Sequence, residues 1–420
     1  MKSSFRKTAA LLAALIMLLS FTGCAAAYAT AATDLMKGVT ASKQTEDPQA
    51  LIKGGAKAAD FAVRLFKASY EKDKNTLISP LSVLCALSMT ANGAKNNTLA
   101  QMEAVLDMSK DELNSFFLSY LNALAAGKNG TLRLANSIWF TDSSDFSVNK
   151  DFLQTNADYF GAELYKMAFD GSEKPRKVIN SWVKEKTGGM IPEIIDRIPD
   201  NIIMYLINAL AFDAEWDRIY KKNEVRDGQF TCSNGQTKTV KFMYTDEYEY
   251  LETENAVGFI KNYKDCEYAF MALLPGEGSS VSDVISALDG KVLLELLSSP
   301  QSSTVMTAIP VFKSDYGIEL SGVLADMGMP EAFDESKADF SGMGTADGGI
   351  YISRVLHKTS IEVNEKGTKA GAATAVEMNS KGMAPGYIKQ VYLDRPFVYM
   401  LIDRTTNLPF FIGVMENISD

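Results

Sequence analysis

Apolar residues recur at helical spacing through the first half of the chain, and two-residue alternation takes over in the second. The pattern predicts helices over Ala50–Tyr70, Pro80–Met89, Thr98–Leu106, Asp111–Ala126 and Asn149–Phe160. A further helix is predicted over Pro175–Thr187, ended by Gly188-Gly189. Leu132–Phe140 reads as a strand. Ile202–Phe212 is a long uncharged apolar run, and its later part reads as a central strand. Strands dominate from Gln229 to Leu274, with turn signals at Ser233-Asn-Gly235 and Pro275-Gly276. Val281–Leu297 reads as one helix. Strands resume at Thr304–Phe312, Gly349–Val363, Gln390–Asp403 and Phe410–Val414. Helices early and strands late predict an α+β fold. No linker or charge block divides the chain after residue 50, so residues 51–420 are expected to form one large domain.

One stretch breaks the pattern. Between two strand-like segments, Gly367 to Val376 is built almost wholly from Gly, Ala and Thr. Such a run is ordinarily a linker. Its parity says more. Thr368, Ala370, Ala372, Thr374, Val376 and Met378 are all small or apolar, while the other set holds Lys369 and Glu377. A strand sends alternate side chains to opposite faces, so this segment can form a half-buried strand with its charges outward. It also suits an exposed loop. The residues alone leave both states open.

The N-terminus reads as a targeting segment. Lys2, Arg6 and Lys7 precede an apolar run from Ala9 to Phe21, too short for a comfortable membrane span. Phe21-Thr-Gly-Cys24 resembles a bacterial lipoprotein box, which makes residues 1–23 a signal and Cys24 the lipidated first residue. A plain secretory signal cut near Ala25-Ala-Ala27 is the alternative. Either exports the protein, to a lipid-anchored cell-surface position or to the medium. Loss of residues 1–23 moves the formal charge from −10 to −13. An acidic product without basic blocks is a poor nucleic-acid binder. Residues 24–50, rich in Ala, Thr and Ser, read as a flexible tether.

Catalytic chemistry is hard to find. The chain has a single histidine, His357, within a strand pattern, and no nucleophile elbow, zinc motif or phosphate loop. The carboxylate pairs Asp151/Asp158 and Glu362/Glu365 lie on polar surfaces. Cys85, Cys232 and Cys266 fit neither a zinc site nor a disulfide framework; Cys85 reads as buried and inert, and a Cys232–Cys266 bridge stays open. No enzyme activity, metal or cofactor is expected.

Seven blocks in order carry a resemblance. They are Asn75-Thr-Leu-Ile-Ser-Pro-Leu-Ser82 with Gly93–Thr98, Asn180-Ser-Trp-Val183 with Thr187, Gly189 and Ile191, and Asn208–Trp216. Phe312–Tyr316, Ala338–Gly342, Asp394-Arg-Pro-Phe-Val398 and Pro409–Gly413 follow. Together with Glu365-Lys-Gly-Thr-Lys-Ala-Gly-Ala-Ala-Thr374, they resemble the serpins, the serine-protease-inhibitor superfamily, from about Leu51 onward. The resemblance implies three β-sheets, eight or nine helices and an exposed reactive loop. It makes Glu365, Gly367, Thr368, Ala370, Gly371, Ala372, Ala373 and Thr374 the hinge of that loop. Ser79, Ser82, Asn208 and His357 become the shutter where the main sheet opens, and Trp216 the residue beneath the breach. It further implies a monomer that traps a serine protease covalently by inserting the cleaved loop into the sheet. A non-inhibitory binding or chaperone protein of the same fold is the alternative.

Counting from the hinge glutamate as the family does puts the scissile bond at Lys381-Gly382, which implies a trypsin-like target because such a pocket pairs an acid with the lysine. The segment from Glu365 to Phe397 looks about four residues longer than is common in the family. A shift to Met383-Ala384 would suit chymotrypsin-, elastase- or subtilisin-like enzymes. Lys369 departs from the acid usual after the hinge threonine, and Gly371 is more flexible than alanine. Both fall on the outward parity.

Overall fold

The computed structural model describes residues 32–126, 132–143, 146–198, 202–368 and 388–418. The signal, Cys24, hinge residues Ala370–Thr374 and both scissile-bond candidates (Lys381-Gly382, Met383-Ala384) lie outside these residues.

Nine α-helices occur among the described residues: α1 (Ala50–Ser69), α2 (Pro80–Ala91), α3 (Asn96–Leu106), α4 (Lys110–Ala126), α5 (Lys150–Phe160), α6 (Glu173–Lys186), α7 (Val281–Ala287), α8 (Gly290–Ser298) and α9 (Ser321–Met327). The predicted helices are all present. The single helix expected over Val281–Leu297 is two, because the Asp289 side chain accepts from the Val292 N–H and starts a new helix there. Helix α2 is buried along its whole length, which its uncharged sequence requires.

The strands form three sheets among the described residues, of eight, nine and two strands, as expected for this α+β fold. The eight-stranded main sheet contains, in chain order, β1 (Thr33–Asp34), β2 (Leu132–Thr141), β3 (Glu163–Met167), β4 (Met204–Phe212), β5 (Ala214–Glu215), β6 (Phe312–Glu319), β7 (Arg354–Asn364) and β8 (Gly367–Thr368). Its order is β1-β3-β2-β4-β7-β8-β5, with β6 on the other side of β7. Strand β4 is buried at every position, as its uncharged run, apolar except at Asn208, demands at the centre of a covered sheet.

The nine-stranded sheet is built around the 16-residue strand Thr237–Glu252 and around Phe397–Asp403 and Leu408–Met415. The strand expected over Gln390–Asp403 is divided into Lys389–Tyr392 and Phe397–Asp403. Pro396 has no N–H to give a ladder, and the chain changes place in the sheet there. One continuous core of apolar side chains joins this sheet, helices α1–α5 and one face of the main sheet. A second, smaller cluster around Trp139, Trp182 and Tyr205 fills the opposite face beneath α6.

Residues 32–49 fall in the stretch expected to be a tether, yet they are bound to the domain. Strand β1 pairs antiparallel with β3 at the sheet edge. The Asp158 carboxylate of α5 then accepts from the Ser42 backbone N–H at 2.7 Å and the Gln44 side chain at 2.9 Å.

Candidate functional site

The site is the seam between β4 and β7. In its lower part the two strands pair directly and in parallel, Arg354–Thr359 against Tyr205–Leu210. Above Thr359 they part. The chain reverses after Asn364, and β8 returns antiparallel to β7 with Thr368 opposite Val363. On its other side β8 pairs with β5, Thr368 opposite Ala214. Two hinge residues thus already occupy the gap.

The local sequence makes this turn. Asn364 Oδ1 accepts from the Lys366 N–H at 2.9 Å, closing the reversal. Gly367 approaches β5 so closely that a Cβ there would lie 2.0 Å from the Ala214 carbonyl oxygen. Only glycine fits this position. Thr368 is 1% exposed, and its hydroxyl is 2.5 Å from that of Tyr263. The inward parity read from the sequence therefore holds at its first member. Burial pushes the Tyr263 phenol well above its usual range, so it stays protonated and able to donate.

Trp216 sits under the turn. Its indole Nε1 donates to the Asn364 carbonyl at 2.9 Å and its backbone N–H to that of Lys366 at 2.8 Å. The Tyr220 N–H donates to the Glu365 carbonyl at 3.0 Å. The Trp216 ring stacks on Tyr263, centroids 4.4 Å apart and planes 12° from parallel. Three successive carbonyls, 364 to 366, are held by a Trp216–Tyr220 clamp. Neither Tyr220 nor Tyr263 was singled out by sequence. Each is an aromatic in a strand-rich region with nothing local to mark it.

Lower down, four of the named residues come together. His357 is 1% exposed, and Ser79, Ser82 and Asn208 are fully buried. The His357 Nε2 accepts from the Ser79 backbone N–H at 3.0 Å, just before helix α2. That nitrogen must therefore be bare and the proton must sit on Nδ1, which donates to Asn208 Oδ1 at 2.6 Å. The Ser82 hydroxyl donates to the same oxygen at 2.6 Å. Burial lowers the His357 pKa to about 3, so the ring is neutral at physiological pH. Beside it the Thr359 hydroxyl donates to the Leu77 carbonyl at 2.8 Å. The Asn208 Nδ2 and Ser79 Oγ are buried with no partner among the described residues. Asn136, directly across from Asn208 on β2, belongs to the same polar row and was not anticipated. The available signal was weak, since Asn136 is one of three polar residues in the strand Leu132–Phe140.

This is not a catalytic arrangement. Both ring nitrogens of His357 are taken up by a backbone N–H and an amide oxygen, and the ring is sealed from solvent. Among the described residues Cys85, Cys232 and Cys266 are all unpaired, which closes the question of a bridge; burial pushes the Cys85 thiol up to about 12.

Comparison with known proteins agrees with this geometry. The profile of the serpin (serine protease inhibitor) family matches residues 56–418. Human Serpin B8 is 34% identical over 367 residues, covering 84% of this chain and 96% of its own. The crystal structure of tengpin, a thermophilic serpin, in its native state superposes with a TM-score of 0.86 at 44% identity, covering 92% of this chain and all of that one. The latent state of the same protein gives 0.77 at 42% identity, covering 90% of this chain and all of that one. With the family profile matched over residues 56–418 and relatives covered almost end to end, the chain belongs to the serpin family of serine protease inhibitors.

Proposed function

We propose that this inhibitor is a suicide substrate for a trypsin-like serine protease, with Lys381 as bait, acting outside the cell. The protease serine attacks the Lys381 carbonyl carbon, the bond to Gly382 breaks, and the freed amine leaves with the proton. The acyl ester persists because the segment upstream of the cut then inserts between β4 and β7 and carries the enzyme away. The native body is thus held kinetically above a more stable inserted form.

The single observation that carries this reading is the buried wedge of Gly367 and Thr368 between β7 and β5. It sets a register. Continued without a break from Val363↔Thr368, the antiparallel pairing would bring Thr374 opposite His357. Continued from Thr368↔Ala214, it would bring the same Thr374 opposite Asn208. Thr374 shares the inward parity of Thr368, so its hydroxyl would arrive at the Asn208 amide that lacks a partner. Separating the strands therefore breaks one polar set and offers it a replacement.

Lipid anchoring through Cys24 would hold the inhibitor at the cell surface, a reading supported by the Phe21–Cys24 box and the basic residues before it. The test is incubation with trypsin, subtilisin, chymotrypsin and elastase followed by denaturing gels. A band at the summed mass, strongest with trypsin, is expected. Cleavage by all four without such a band would leave a non-inhibitory serpin. Mass spectrometry of the released C-terminal peptide separates Gly382 from Ala384 as its first residue.

A further inference from the structure

The Trp216–Tyr220 clamp rests on a buried charged pair that the mechanism above does not use. The Lys261 side chain is 2% exposed, and its Nζ lies 2.7 Å from Oε1 of Glu247, itself 14% exposed. The same ammonium is 5.3 Å from the ring centroid of Trp216 and 4.7 Å from that of Tyr220. These are the two residues whose backbone N–H groups hold the Lys366 and Glu365 carbonyls. Between them the chain follows no ladder: residues 217–220 belong to no strand. The cation that both rings face ties one to the other, beside the Tyr263 stack that holds Trp216 alone.

A buried ion pair is a poor way to gain stability, since apolar residues of similar volume do as well or better. Its place against both clamp rings points to a positional task. Burial pushes the Glu247 carboxyl up, and the Lys261 ammonium, aided by Arg218, opposes that rise. The pair also lies beneath the turn at residues 364–366, about which the loop must fold as it enters the sheet.

We propose that Lys261 and Glu247 are positioning residues for loop insertion. The ammonium pins the Trp216 and Tyr220 rings, and through their backbone N–H groups it fixes the pivot on which the cleaved segment swings. This rests on the inhibitory reading above. An inserting strand starts from a set register when the pivot is fixed. When it is loose, insertion is slower, more acyl-enzyme hydrolyses first, and the inhibitor is consumed as a substrate.

The test uses the full chain and three variants: Lys261→Met, Lys261→Arg, and the double Lys261→Met/Glu247→Leu. The double replaces both charges with apolar groups and is expected to melt no lower than the wild type. Hydrogen exchange over residues 214–221 is expected to be about thirtyfold faster in Lys261→Met and in the double, the factor that losing a desolvated cation–π contact implies. With trypsin, the ratio of cleaved free inhibitor to covalent complex is expected to rise about threefold in both. Lys261→Arg keeps the cation and is expected to match the wild type in both measurements. Wild-type exchange in the double variant overturns the proposal, as does an arginine variant that behaves like the methionine one. A wild type that forms no complex with trypsin, subtilisin, chymotrypsin or elastase removes the role in insertion along with the inhibitory reading. The exchange comparison then still reports whether the pair pins the clamp.

Discussion

The two ends of one seam are built on different principles. Below, β4 and β7 are zipped to each other from Arg354 to Thr359, over a neutral imidazole tied to a helix and a strand. Above, the same strands are held apart by Gly367 and Thr368, and the clamp fastens the turn rather than the gap. The lower end resists opening through buried hydrogen bonds that must break together. The upper end has already opened and keeps its place by shape. A body built this way admits a new strand from one direction only.

The sharpest way to break this contrast is Thr368→Arg. A guanidinium would replace a hydroxyl that is 1% exposed, at a cost of several kcal/mol if it stays buried and unpaired, on the order seen for buried charges. Covalent complex with trypsin is expected to vanish while cleavage of the loop continues. A gel that still shows the complex would refute the inward assignment of Thr368.

His357→Leu acts on the other end. It strands the Ser79 N–H and leaves Asn208 Oδ1 with only Ser82. A loss of about 2–4 kcal/mol in unfolding free energy is expected from urea titration of the uncut chain. A change within error would make the polar row incidental.

Acid probes the same end without mutation. The His357 pKa is about 3 in the folded chain, below the ordinary 6.5. At low pH the unfolded chain therefore takes up this proton before the folded one does. The contribution of the neutral ring is complete above about pH 6.5 and is lost as pH falls toward 3, by up to about 1.4 kcal/mol per unit from this group. Across pH 7 to 5 the wild type should show this slope and His357→Leu should lose it. Parallel stability curves for the two would contradict it.

The smallest effect is expected from Tyr263→Phe, which removes the hydroxyl 2.5 Å from that of Thr368 and keeps the Trp216 stack. About 1 kcal/mol should be lost. Faster exchange at residues 363–368 with an unchanged lower seam would locate the loss at the wedge.

Much of this architecture could be read from residue patterns, with instructive exceptions. The long periodic helices and the apolar strand β4 follow from burial that repeats along the chain. Strand β3 was missed because Glu163 begins it; the carboxylate is tolerated there by the indole of Trp182, the phenol of Tyr165 and Lys186. Strand β6 was missed because it alternates charges such as Lys313, Asp315 and Glu319 along a side of β7. The binding of residues 32–49 was invisible because it rests on backbone groups and scattered polar side chains far along the chain, among them Asp158, Gln154 and Asn122. At the site, the roles of Ser79, Ser82, Asn208, His357 and Trp216 came through family resemblance. The residues that complete their surroundings (Asn136, Tyr220, Tyr263 and Lys261) are brought there by pairing between segments far apart in the chain.

The imidazole of His357 has one more consequence. It bonds at once to the start of α2 and to the neighbouring strand, while Ser82 ties α2 to that strand as well. An incoming strand pushes β4 and β7 apart by about 4.8 Å, so the 2.6 Å link between Asn208 and His357 must part. Helix α2 then travels with one side or the other. That link is a fuse of known position. Severing one buried bond at about 1–3 kcal/mol delays each opening by roughly 5- to 160-fold, and so sets how long the spring stays wound.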